Sequence, residues 1–176
     1  FSLIQKMEQL DRIADVIIVD TGAGVGNEVL EFVAACEEVL VVATPEPTSI
    51  TDAYALLKML NRSSSYRRGK TEVKLIANQV RDVADADQLF DKIGDVVSKF
   101  LNIEVEYLGG IPYDNSMQRA IMKQQPVSIS MPNSQAARSL ERIAGRLMNR
   151  DEVQRTGGFG IVHLFSSVIK LRFNRS

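Results

Sequence analysis

The chain is 176 residues long, with 45% hydrophobic and 24% charged residues, which suits one folded domain and excludes disordered, collagen-like and low-complexity classes. Twenty-one basic residues against 22 acidic ones leave a formal net charge of −1, so the chain as a whole exerts no electrostatic pull on nucleic acid. Its single cysteine, Cys36, cannot close an internal disulfide, and no apolar run reaches the roughly 20 residues that span a bilayer; a reducing, cytoplasmic setting is expected.

Phe1, Ile4, Met7, Leu10, Ile13 and Ala14 recur at helical spacing, and this opening reads as the inside of a longer protein. Asp15 to Asp20 (DVIIVD) follows as a short apolar run, predicted to be a strand buried on both faces. Thr21 to Gly26 is a glycine-rich loop and Asn27 to Cys36 a helix. A second buried strand is predicted over Glu38 to Ala43, ended by Thr44-Pro45-Glu46-Pro47. Thr48 or Ser49 then caps a helix to about Leu60, with Asp52 in its first turn.

Asn61 to Lys70 is a polar, basic loop. Strand Glu72 to Asn78, helix Ala84 to Leu101, strand Glu104 to Ile111 and helix Ser116 to Lys123 succeed one another. Gln124 to Pro132, with two prolines, is expected to be extended. Asn133 to Met148 is a last core helix, with Ala136, Ala137, Leu140, Ile143, Ala144 and Leu147 on one face. Strands alternating with helices imply βαβ units, hence an α/β fold with a doubly wound, mostly parallel sheet and helices on both faces. Asp151 to Gly160 reads as a linker. Beyond it, Ile161, Val162, Leu164, Phe165, Val168, Ile169, Leu171 and Phe173 cover roughly 200° of a helical wheel. Lys170, Arg172 and Arg175 make its end basic. Three parts result: residues 1–149, a linker over 150–160 and an amphipathic helix over 161–176.

Asp20 ends an apolar run just before the glycine loop, which puts a carboxylate at the carboxyl edge of a parallel sheet, where open α/β folds bind ligands. Such a carboxylate can hold hydrated Mg²⁺, and glycines let backbone N–H groups approach a phosphate; a capped turn would use the same residues. Asn78 closes the third strand, and its amide offers a donor and an acceptor, as an adenine edge requires. Pro112-Tyr113-Asp114 closes the fourth at the same edge, though Asn and Asp are also ordinary turn formers. Cys36 is expected to be a buried thiol, and His163, the only histidine, is expected to face solvent on the tail helix, without a metal partner.

DVIIVDTGAG, VVATPEPTSITDAYALLKML, LIANQVRD and GGIPYDNS, in that order, resemble the MinD/ParA-type P-loop ATPases, with TPEPTSITDAYALLK pointing to the flagellar-number regulators called FlhG, YlxH or FleN. The resemblance covers residues 1 to about 149. It implies that Asp20 is the Walker-B carboxylate reaching Mg²⁺ through water, and that Gly22 and Gly24 belong to the loop that senses the γ-phosphate. It implies adenine contacts from Asn78, Pro112, Tyr113 and Asp114, and a place near nucleotide and dimer interface for Glu46. Asp52 matches the helix that receives partner proteins, although Glu46 and Asp52 could equally be charges complementing a helix dipole. No G-x-x-x-x-G-K-[ST] occurs in the 176 residues, so the phosphate-cradling loop is expected upstream of Phe1 and this chain alone should not hydrolyse ATP.

The terminal helix resembles in placement a membrane-targeting helix, through Ile161, Leu164, Phe165, Val168, Ile169, Lys170 and Arg172; docking on the chain's own core or in a dimer groove is the rival reading. The implied function is an ATP/ADP- and Mg²⁺-dependent homodimerising switch at the inner face of the cell membrane. It would regulate flagellar number or placement with an FlhF-like GTPase and flagellar switch-ring proteins as partners. A non-catalytic adaptor, or a MinD/ParA-like ATPase positioning division or segregating DNA, is the alternative; the charge balance and the tail argue against DNA.

Overall fold

A computed structural model describes residues 36–63 and 71–154, residue 66, and, before them, residues 14, 16–22, 26, 29, 30 and 33, with side chains up to Met148. Three strands, β1 (Glu38–Ala43), β2 (Glu72–Val80) and β3 (Val105–Pro112), form a parallel sheet in the order β1-β2-β3. Two helices, α1 (Pro47–Arg62) and α2 (Val83–Phe100), make the crossovers. Three more follow: α3 (Asn115–Met122), the single turn α4 (Val127–Ser130) and α5 (Gln135–Gln154).

The sheet separates two apolar clusters. Val39, Val41 and Ala43 of β1 and Val73, Leu75 and Ala77 of β2 meet Ala53, Leu57 and Leu60 of α1 and Ala86, Leu89, Ile93 and Val97 of α2. The opposite face joins Ile76, Leu108 and Ile111 to Ala136 and Ile143 of α5. Helices therefore lie on both faces, as expected. α2 approaches β3 so closely that a Cβ at Gly110 would lie 2.9 Å from the Cβ of Ala86, so only glycine fits there.

Several expectations are corrected. Residues 16–20 form no strand, and Ile18 is 80% exposed. A parallel strand is buried on both faces only when bonded neighbours and covering helices surround it, and among the described residues β1 pairs with β2 alone. β1 is likewise buried on one face only: its burial alternates, and Val42 is 56% exposed because α5 packs over β3, not over β1. α1 starts at Pro47, ahead of Thr48 and Ser49, because proline suits a first helical position whose N–H needs no partner. Ser49 Oγ instead accepts the Thr44 N–H at 2.9 Å. Asp52 consequently lies beyond the first turn.

The stretch Gln124–Pro132 is not extended throughout. Pro126 has φ −57°, its carbonyl accepts the Ile129 and Ser130 N–H groups, and Val127 is buried, which together wind α4. At the far end α5 continues through Asp151–Gln154, the first residues of the expected linker. The helix predicted to Cys36 is seen at Val29, Leu30 and Val33, with the Leu30 N–H donating to Gly26 O, and Cys36 lies past it and half-buried.

Candidate nucleotide edge

Parallel strands with helical crossovers deliver all three strand ends to one edge of the sheet, the usual ligand edge of an open α/β fold. Thr44-Pro45-Glu46 follows β1, Asn78 lies near the end of β2, and Tyr113 follows β3. The register sets Asn78 beside Ile111 and Val80 beside Pro112, and the Tyr113 N–H donates to the Val80 carbonyl at 2.9 Å. Asn78 and the Pro112-Tyr113-Asp114 turn, more than thirty positions apart in sequence, are thereby neighbours.

Their chemistry differs from residue to residue. Asn78 Oδ1 accepts its neighbour Gln79's N–H at 3.0 Å, in a bulge where Gln79 takes φ +56°. One acceptor position is thus used locally, while the amide NH₂ remains a donor. Tyr113 is 55% exposed and its hydroxyl accepts from Gln118 Nε2 at 3.1 Å, which leaves the ring available to stack on a planar base. Asp114 is committed to the fold. Its Oδ1 accepts the Ser116 N–H at 2.7 Å and its Oδ2 the Ala136 N–H at 3.1 Å, so one carboxylate serves the N-termini of both α3 and α5. Those backbone donors hold its pKa below the ordinary carboxylate value. Asp114 thus positions Tyr113.

Two concavities flank this edge. A crevice of about 360 Å³ is bordered by Thr44, Glu46, Gln79, Arg81 and Asp85, and another of about 470 Å³ by Tyr113, Ser116, Arg119 and Gln135. The first contains a pair not singled out from sequence. Asp85 accepts both the Arg81 backbone N–H and its guanidinium, each at 3.0 Å, and Asp85 N–H donates to Asp82 Oδ1 at 2.8 Å. The side-chain and backbone hydrogen bonds from Arg81 hold the Asp85 carboxyl below its usual range. The readable signal was the D-x-x-D spacing of Asp82 and Asp85 ahead of an apolar helix, a variant of the capping box. It holds an exposed guanidinium at the crevice that Glu46 also lines.

Of the other expected site residues, Asp20 is exposed and outside any strand, and Gly22 has open space where a Cβ would stand. Asp52 is exposed on α1. Gly24, and Ile161, Leu164, Phe165, Val168, Ile169, Lys170 and Arg172 of the tail, lie outside the described residues. The strand ends thus offer an exposed aromatic ring, an amide donor and a nearby cation. No group of three or more potential metal ligands occurs among the described residues.

Comparison with known proteins agrees with the fold. A family described as ParA, NUBPL iron-transfer P-loop NTPase, matches residues 3–148. The antiactivator FleN of Pseudomonas aeruginosa is 41% identical over 145 residues, which are 82% of this chain and 50% of FleN. The flagellum site-determining protein YlxH of Helicobacter pylori is 32% identical over 139 residues, 78% of this chain and 45% of YlxH. The cell division ATPase MinD of Pyrococcus furiosus superposes with a TM-score of 0.63 at 19% identity, covering 85% of this chain and 58% of that one, a likeness of fold. The chain spans about half the length of the curated relatives it matches. With a parallel α/β sheet whose strand ends gather Asn78 and Tyr113, and a match running over residues 3–148, the chain belongs to the ParA family of P-loop NTPases.

Proposed function

We propose that the intact protein is an ATP-dependent, dimerising switch ATPase that regulates flagellar number or placement from the inner face of the cell membrane. The observation that carries this reading is the 41% identity to the antiactivator FleN across 82% of the chain. Similarity to MinD proteins is lower, 34% for the one from Mesostigma viride, which favours the flagellar reading over division-site placement.

In this reading Asn78 donates its amide to a ring nitrogen of adenine, while Tyr113 lies against the base and Asp114 holds the turn. Glu46 stands at the mouth of the adjoining crevice, where nucleotide and a second subunit would meet. Asp20 reaches Mg²⁺ through water, the ion supplying charge neutralisation to the phosphates when bound. Gly22 and Gly24 respond to the γ-phosphate, Asp52 faces a partner protein, and residues 161–173 provide the membrane helix. An FlhF-like GTPase and switch-ring proteins are the proposed partners.

The test uses the intact protein with ATP and with ADP. Light scattering should show a dimer with ATP and a monomer with ADP, and vesicles should pellet the protein only with ATP. Asn78→Ala should weaken ATP binding by roughly tenfold, the loss of one buried hydrogen bond and its contact. Equal pelleting with both nucleotides, unchanged by Ile169→Glu, would sink the switch.

A further inference from the structure

The corner formed by α3 and α4 carries an exposed apolar cluster that the nucleotide edge does not use. α3 buries Ala120 and α4 buries Val127, and the two meet in one small cluster with Ala137 of α5. Gln124, at φ +52°, reverses the chain between them, and the Gln125 N–H donates back to the Ala120 carbonyl at 3.1 Å. Met122 and Ile129 each lie two residues past the buried one, about 200° around the helix, and therefore point away from the core. Ile121, Met122 and Ile129 are accordingly 66%, 85% and 76% exposed.

The charge of this corner differs from that of the whole. From Asn115 to Leu140 there is no acidic residue, while Arg119, Lys123 and Arg138 are exposed cations, in a chain whose net charge is −1. None of the three makes an ion pair among the described residues. The polar residues of the stretch are Gln, Ser and Asn, which hydrogen-bond to water or headgroups at no charge cost. Exposed apolar side chains on a stretch that carries cations and no acidic residue match an interface that is anionic outside and apolar a few Å deeper.

We propose that the α3–α4 corner is a membrane-contacting surface that seats Ile121, Met122 and Ile129 among the headgroups of an anionic bilayer, with Lys123 on the phosphates. The inference rests on the membrane association proposed above but assigns part of it to a region other than residues 161–173. It makes binding two-point: a weak, shallow contact here adds to the tail through a high effective concentration.

The experiment is flotation of the intact, ATP-bound protein with vesicles of phosphatidylglycerol and phosphatidylethanolamine, and with phosphatidylcholine alone. Four proteins are compared: the parent, Met122→Glu/Ile129→Glu, Lys123→Glu and Ile169→Glu. The double variant should bind anionic vesicles about tenfold or more weakly, from two apolar burials lost. Lys123→Glu should bind about fivefold or more weakly, and the parent should lose affinity on phosphatidylcholine. All substituted side chains at the corner are exposed, and thermal melts should be unchanged. Corner variants that float like the parent, while Ile169→Glu does not, overturn this inference and leave the tail reading intact. A parent that does not float overturns both. Loss of ATP-dependent dimerisation in the double variant, measured without vesicles, would make the corner a protein contact and overturn the inference as well.

Discussion

β1 and β2 are adjacent strands of similar apolar content, yet they are buried in opposite ways. β2 is covered on both faces, by α1 and α2 on one side and α5 on the other, so that even Lys74 is fully buried. β1 has the more continuous apolar sequence, EVLVVA, and still leaves Val42 56% exposed. Position in the sheet, and not hydrophobicity, decides burial here. The lysine is tolerated because its Nζ reaches Glu38 Oε2 at 2.5 Å and Glu72 Oε2 at 3.1 Å, one carboxylate on each strand, at a step where Glu38 pairs with Glu72. Without the ammonium, two carboxylates would face each other across the ladder.

The contrast is sharpest for paired truncations. Leu75→Ala on β2 should cost about 2–5 kcal/mol, and Val42→Thr on β1 less than about 0.5 kcal/mol, by urea unfolding of this chain. Equal costs would break the comparison, and a large cost for Val42→Thr confined to the intact protein would mean that another segment covers that face.

Lys74→Ala comes next, at about 1–3 kcal/mol, reduced from the figure for a wholly buried pair because both carboxylates are more than a third exposed. Lys74→Met should recover most of the loss by filling the volume. Burial opposes the Lys74 charge, but the hydrogen bonds to Glu38 and Glu72 outweigh it and raise the pKa above the usual 10.5. A raised lysine stabilises fully below its unfolded value, and this contribution should fade only as pH climbs past 10.5.

Asp114→Ala should cost less than Leu75→Ala, about 1 kcal/mol for a lost cap at neutral pH. Its pKa is depressed by the Ser116 and Ala136 backbone N–H groups, so its stabilisation is present above the usual carboxylate value of 3.8 and is lost as pH falls below it. Parent and variant should therefore converge in acid, whereas Lys74→Ala and its parent converge only in alkali. Convergence of the Asp114 pair at high pH would refute the assignment.

Much of this was legible from local pattern. Strand–helix alternation located β1, β2 and β3 within a residue or two, because each is a short apolar run bounded by turn residues. Asn78 and Tyr113 were readable as candidates because residues that end parallel strands share an edge. Arg81 was not singled out, since one basic residue after a strand carries no signal until Asp85 folds back on it four positions later. The start of α1 was misplaced for a similar reason: Ser49 looks like a cap in sequence, but its hydroxyl receives Thr44's N–H from the incoming loop.

By itself, then, the amino-acid order located β1, β2, β3 and the helices that cross between them, and determined that the sheet is parallel and which residues end its strands, because periodicity and turn chemistry act over a few neighbours. It misplaced a strand at residues 16–20 and missed α4. Only the tertiary structure decided which faces are covered, that Asp114 is the shared cap of two helices while the Tyr113 ring stays exposed, and that Ile121, Met122 and Ile129 are left exposed. Those outcomes depend on what packs beside each residue across a long loop, and no local pattern encodes a neighbour that the chain brings in from afar.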